Sequence, residues 1–256
     1  MLDGSKWRFH MIQNLPDKPS AALRLAIWNM QGKALWEYLE RHQVDVALVQ
    51  EAPENQSFAA FGRPTYTKRV RGVGIIDLSG RAQVGAGEVL CDGDVVAATS
   101  AALGVRLISM NASLSNRPKG YRGHGGHDGV MLQRLEDLED VILQPGAVVL
   151  GGDFNTALRM KSLNKPERVF EKLTRYRLRN LLCDALCKSH DDLGCQMYTH
   201  KPTRRLKDNS WVIDHLYGSL NVVPRVQFAG VGDERVWTDG LSDHLPIFVD
   251  IALETR

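Results

Sequence analysis

Cysteine is scarce in this chain, long apolar runs are missing, and charge of neither sign dominates. The 256 residues contain four cysteines, Cys91, Cys183, Cys187 and Cys195, with no CxxC pair among them. That spacing argues against structural zinc and against a disulfide scaffold, and predicts thiols in a reducing compartment. No stretch approaches the roughly 20 apolar residues that a membrane helix requires. Met1 to Ser20 is polar and mixed in charge, without the apolar centre of a secretory leader, so a cytoplasmic location and no membrane partner are expected. Repeats, low-complexity tracts and interdomain linkers are missing too. Residues 21–256 are therefore predicted to form one domain around a single large core, behind an N-terminal extension of residues 1–20 that carries Pro16 and Pro19. A monomer is expected.

The net charge of +2 identifies no partner, but it is unevenly spread. Thirteen Lys and Arg lie between Arg159 and Lys207 against five acids (Glu167, Glu171, Asp184, Asp191 and Asp192), which leaves that segment at +8. A basic face of this kind suits a polyanion such as nucleic acid. Any one of these side chains, taken alone, reads as part of a solvated helix face.

Short β-like runs outnumber helical ones. Strands are predicted over 23–28, 44–49, 72–78, 94–100, 105–110, 147–150, 211–216, 222–228 and 247–253, and helices over 32–41, over 128–143 and from 166 to about 186. Pro166 and Glu167 make a good helix start, and Cys183 and Cys187 would share one face of that helix. Several neighbouring strands have no helix between them. This disfavours a doubly wound parallel sheet and predicts an α/β fold of two mixed sheets packed face to face, with helices outside.

Four polar signatures close apolar runs: Ile27-Trp28-Asn29, Val49-Gln50-Glu51, Gly151-Gly152-Asp153-Phe154-Asn155 and Ser242-Asp243-His244. Each alone reads as a turn or a helix cap. Together they place carboxylates, amides and a histidine at the ends of separate buried strands, which is how α/β enzymes gather reactive groups. Glu51 is of the type that holds a hard cation, since Mg²⁺ takes one or two carboxylates plus water and phosphate oxygens. Asn29 could orient that carboxylate or bind phosphate. Asp153 could align or deprotonate a water, and Asn155 could donate to a phosphate oxygen. The paired glycines before Asp153 suggest close approach of the backbone to a ligand. Asp214 is a candidate to orient His244 in one tautomer or as an imidazolium.

In this order, Trp28-Asn29, Gln50-Glu51, Gly152-Asp153-Phe154-Asn155, Ile213-Asp214 and Ser242-Asp243-His244-Leu245-Pro246 resemble the endonuclease/exonuclease/phosphatase superfamily, over roughly residues 23–253. The resemblance implies a four-layer α/β sandwich and Mg²⁺- or Mn²⁺-dependent cleavage of a phosphoester. It implies Glu51 as the principal metal ligand with Asn29 and Asp243 nearby, and Asp153 handling the attacking water or the leaving oxygen. Asn155 would hold the phosphoryl group, and His244, braced by Asp214, would contact phosphate or move a proton. Two departures stand out. Gln31 replaces the acid or asparagine that many members carry there, and Trp28-Asn29-Met30-Gln31-Gly32 is similar to the nuclease subunit of cytolethal distending toxins. The middle strand, which in the family ends in a His or Tyr, offers Asn111 or Ser113 instead. His124 or His127, in a Gly-rich loop, is a candidate to substitute.

DNA is the expected substrate, from the basic segment, the Arg204-Arg205 pair and two tryptophans near site loops. Trp211, three residues before Asp214, reads better as core. Trp237, flanked by Asp233, Glu234 and Asp239, reads as the surface ring that stacks on a base. The alternatives are a phosphatase or phosphodiesterase of an inositol lipid or other small phosphoester, and a catalytically weak nucleic-acid-binding module.

Overall fold

All eight residues of Ala22–Asn29 are buried, so this strand is covered on both faces rather than alternating between core and solvent. It is central to one of two sheets in the computed structural model, which describes residues 15–54, 57–62, 71–112, 126–157, 167–185, 199–201 and 212–254. Through the described residues run β1 Ala22–Asn29, α1 Trp36–Arg41, β2 Val46–Ala52, β3 Phe58–Gly62, β4 Gly72–Asp77, β5 Glu88–Leu90, β6 Val95–Ser100 and β7 Val105–Asn111. Then follow α2 Gly126–Asp137, α3 Glu139–Ile142, β8 Ala147–Asp153, α4 Glu167–Arg175, β9 Leu178–Asn180 and α5 Leu181–Ala185. The chain ends with β10 Asp214–Ser219, β11 Val226–Val231, α6 Arg235–Thr238 and β12 Ile247–Ala252. No helix among the described residues is long and apolar enough to cross a membrane.

The sheets have six strands each, in the orders β11-β12-β1-β2-β4-β3 and β5-β6-β7-β8-β10-β9. Each holds one parallel pair, β1 with β2 and β7 with β8, amid antiparallel ones. This is the α/β sandwich of two mixed sheets flanked by helices. Leu25, Ile27, Leu48, Leu107, Val149, Leu216 and Val249 belong to the core cluster between the sheets. Gly151 permits the contact: a Cβ there would come within 2.7 Å of Ile27 Cγ1. Gly152, at φ +152°, could not carry one either, since it would meet Met110 O at 1.9 Å. The glycine pair thus serves sheet packing and strand pairing.

On the outer face of the second sheet, Val130, Met131 and Leu135 of α2 and Val169 and Leu173 of α4 cover Ile108, Met110, Val148 and Leu150. Arg134 ties α2 to the start of β6 through a buried pair with Asp94. On the outside of the first sheet, Trp28 meets Tyr38 of α1, with ring centroids 5.0 Å apart. Beside it, Arg24 and Asp250 form a buried fork-to-fork pair at 2.7 and 2.8 Å.

The helix expected from 166 to about 186 is broken. Arg177 adopts φ +58°, and Leu178–Asn180 leaves the helix to pair with β10. Tyr176, whose hydroxyl donates to Leu135 O, anchors the end of α4, so tertiary pairing overrides local propensity. α5 is described as far as Ala185, and Cys187 lies outside the described residues. The helix expected over 128–143 is divided at Leu138, and α1 begins only at Trp36. Three short strands, β3, β5 and β9, have no counterpart in the sequence reading.

Candidate active site

Strand direction brings the polar signatures together. β1 and β2 run parallel and end side by side, with Asn29 opposite Gln50. β12 is antiparallel to β1, Ile247 opposite Ile27, so Asp243 and His244, just before β12, arrive at the end of β1. In the second sheet Asp153, at the end of β8, lies opposite both Asp214 of antiparallel β10 and Asn111 of parallel β7. The sheets meet at this rim.

Asn29 is the link. Buried at 1% exposure, its Nδ2 donates to Asp153 Oδ2 at 3.0 Å and lies 3.4 Å from Glu51 Oε1. Its own Oδ1 accepts the Gln31 N–H at 3.1 Å. Ser242 Oγ donates to the Asn29 carbonyl and Trp28 Nε1 donates to the His244 carbonyl, both at 2.8 Å. Gln31 Oε1 accepts the Asp243 N–H at 3.3 Å, so the residue that departs from the family pattern bridges two of the signatures.

Asp153, 3% exposed, also accepts the Asn155 N–H at 2.9 Å through Oδ1. Asn155 itself adopts φ +51° and is half-buried. Burial, together with the nearby Asp214 charge, raises the Asp153 carboxyl to about 6; the His244 charge and the hydrogen bonds from Asn29 and Asn155 oppose the rise. Asp214 holds His244 Nδ1 at 2.9 Å, and its backbone N–H donates to Thr199 Oγ1. For His244, burial alone would lower the imidazole, but Asp214, Asp153 and Asp243 together raise it to about 10. A carboxylate that accepts a proton near neutrality therefore faces an imidazolium.

Glu51 stands apart. A β-bulge between Val49 and Ala52 re-aims it at φ +47°, which keeps the side chain about a third exposed. Oε2 pairs with Arg71 at 2.7 Å. Among the described residues, the close groups of metal-ligating side chains are Asp153 with Asp214 and His244, and Asp243 with His200 and His244; Glu51 belongs to neither.

The other candidates divide. Asn111 is buried beside Asp153, and its Oδ1 makes no hydrogen bond. His127 opens α2 with Nδ1 3.3 Å from the Ala112 carbonyl, and so reaches the end of β7. Trp237 is half-buried: its Nε1 donates to the Asp243 carbonyl, its ring packs on the core, and Lys201 Nζ lies 5.5 Å over it. Of its acidic neighbours, Asp233 pairs with Arg235. Ser113, His124, Trp211, Arg204 and Arg205 lie outside the described residues, as does much of the basic segment. Within it, Lys172 pairs with Glu136 and Arg179 with Asp184. Sequence reasoning missed Arg71, Thr199 and His200. None has a spacing signal, because each joins the site through a loop or a strand edge.

A sequence model described as the Endonuclease/Exonuclease/phosphatase family matches residues 26–244. No curated protein matches the chain. Among solved structures, an AP endonuclease from Archaeoglobus fulgidus is 18% identical with a TM-score of 0.65, covering 91% of this chain and 100% of its own. A 3' phosphatase from Neisseria bound to a product DNA hairpin is 19% identical with a TM-score of 0.66, covering 90% and 99%. A 3'-5' exonuclease from Neisseria meningitidis is 18% identical with a TM-score of 0.62, covering 90% and 100%.

Proposed function

The chain belongs to the endonuclease/exonuclease/phosphatase family of phosphoester hydrolases, and from that premise we propose that it is a divalent-metal-dependent nuclease that hydrolyses phosphodiester bonds of DNA. One observation carries the reading: Asn29, from the first sheet, joins Glu51 to Asp153, which faces the Asp214–His244 pair in the second. The likeness to DNA-handling enzymes of the same fold supports a nucleic-acid substrate. Residues 21–256 would act as one catalytic domain.

The donor set fits Mg²⁺ or Mn²⁺. Glu51 presents a partly exposed carboxylate, and the buried Asp243 Oδ1 makes no hydrogen bond. Glu51 and Asp243, with Asn29 beside them, would hold the ion, which when bound neutralises phosphate charge. The remaining roles belong to the chain. Asp153, oriented by the Asn29 amide and the Asn155 N–H, would take the proton of the attacking water. His244, kept cationic and fixed by Asp214, would neutralise a non-bridging oxygen. The Asn155 and Asn111 amides would contact the same phosphate from β8 and β7, with His127 at the rim in place of the missing middle histidine. Arg204, Arg205 and Ser113 would add contacts along the strand.

Incubation with plasmid, single-stranded DNA, RNA and phosphoinositides, each with Mg²⁺, Mn²⁺ or EDTA, tests the reading. Plasmid nicking that needs a divalent ion and disappears in Glu51→Ala is expected. Phosphate release from phosphoinositides without nicking would shift the assignment to a small-phosphoester phosphatase. Equal inertness of wild type and Glu51→Ala, with both binding DNA, would leave a binding module.

A further inference from the structure

We propose that His200, Asp243 and His244 form a second cation site, selective for Zn²⁺ and similar borderline ions, and that filling it switches the hydrolysis off. His200 Nε2 lies 3.6 Å from Asp243 Oδ2, and His244 Nε2 lies 3.5 Å from Asp243 Oδ1. These spacings are long for hydrogen bonds. The two histidines face different oxygens of the one carboxylate, and each spacing is close to the roughly 3.4 Å expected between two ligands on one tetrahedral Zn²⁺ with bonds near 2.05 Å. One donor atom from each of the three side chains can be chosen so that all lie within 4.8 Å of one another.

Two features make this a built site and not a chance cluster. His244 has its other ring nitrogen held by Asp214 at 2.9 Å, the carboxylate–histidine arrangement that orients metal-bound imidazoles. The His200 segment is also stitched to the Asp243 segment by backbone. His200 and His244 form a β-bridge, Leu245 N–H donates to Thr199 O at 2.6 Å, and Lys201 N–H donates to Asp243 O at 2.9 Å. The backbone thus fixes the three residues against one another.

Two imidazoles and one carboxylate make a nitrogen-rich set. Mg²⁺ takes all-oxygen sites, whereas imidazole favours Zn²⁺ and its transition-metal neighbours. Glu51, on the other side of Asn29, offers only oxygen. The rim thus offers a nitrogen-rich position beside the oxygen-only one, and the two share Asp243. On ligation His244 Nε2 gives its proton to solvent, and both His244 and Asp243 are withdrawn from the roles given to them above. The inhibitory half of the inference rests on the nuclease reading; the binding half does not.

The test titrates chelator-treated full-length protein with Zn²⁺ by calorimetry, and with Co²⁺ followed by its visible d–d absorption, in wild type, His200→Gln and Asp243→Asn. Circular dichroism confirms the fold of each. Wild type is expected to bind one ion in a site whose affinity falls about tenfold or more in both variants. X-ray absorption of the Zn²⁺-loaded wild type should count two imidazoles, a result that needs no variant to fold. Equal affinities and Co²⁺ spectra in all three proteins, or fewer than two imidazoles, would overturn the site. In parallel, Zn²⁺ added over excess Mg²⁺ should suppress plasmid nicking by wild type, and His200→Gln should need about tenfold more. Nicking that persists with the site filled overturns the switch. Binding that depends on His200, in a protein that nicks nothing with any metal, overturns the nuclease reading and leaves the site standing.

Discussion

Glu51 and Asp153 are joined by the amide of Asn29, yet they sit in opposite surroundings. Asp153 is sealed among Asp214, His244 and two hydrogen-bond donors, so its charge is set by burial and by its neighbours. Glu51 is lifted out by a β-bulge into partial contact with water, where Arg71 is its partner. A sealed carboxylate suits proton transfer, since its affinity for a proton is raised into the working range. An exposed one suits ligand exchange, since its partners can leave without stranding a buried charge.

Substitutions on the two sides should therefore fail in different ways. The largest effect is expected at Asp153: Asp153→Asn should lower the nicking rate by about 10³-fold or more at every metal concentration. Its melting temperature should hold or rise at neutral pH, because a buried charge is removed. Loss of rate together with collapse of the melting transition would make Asp153 structural.

Next comes Asp214→Asn, expected to cost about 10²–10⁴-fold, by analogy with other carboxylates that orient a histidine. In wild type the rate should climb as pH rises through about 6, where Asp153 gives up its proton, and fall above about 10, where His244 loses its own. In Asp214→Asn the alkaline limb should move down toward the ordinary histidine value of 6.5. An unmoved limb would remove His244 from the rate-limiting protonation.

Glu51→Gln should weaken apparent Mg²⁺ affinity by about 10–100-fold and recover much of its rate when Mg²⁺ is raised, which Asp153→Asn should not do. Failure of that rescue would erase the difference between the two sides. Arg71→Ala should change the metal requirement only a few-fold, toward tighter binding, because the partly exposed pair it removes is worth on the order of 1 kcal/mol or less. Smallest at a single salt concentration is the double substitution of Arg204 and Arg205 by Ala. It should weaken DNA binding and flatten the slope of log affinity against log salt by up to about 2, read by fluorescence anisotropy from 50 to 200 mM salt.

Much of this was legible in the chain. Strand ends carry their own signal, because an apolar run that stops at Glu51, Asp153 or Asn29 marks both the strand and the polar group it delivers. Asp214 was a candidate in the sequence to orient His244, and its carboxylate lies 2.9 Å from His244 Nδ1. The break at Arg177 and the short strands β3, β5 and β9 were not legible. They exist through pairing with distant segments, and local propensity carries no record of that. Trp237 shows how little its flanking acids say: Asp233 pairs with Arg235, and the half-buried ring packs partly against the core.

By itself the sequence determined the fold class, the family and the identity of the strand-end groups, because hydrophobic periodicity and short motifs are local properties. Tertiary structure alone decided which of those groups share surroundings. Antiparallel pairing sets Asp214 against Asp153 and carries His244 to the end of β1. A single bulge separates Glu51 from the sealed cluster, and a β-bridge brings His200, which no motif flags, against His244. Burial and charge at the site arise from contacts between residues up to 216 positions apart, as in the Trp28–His244 hydrogen bond, and only the folded chain brings such residues together.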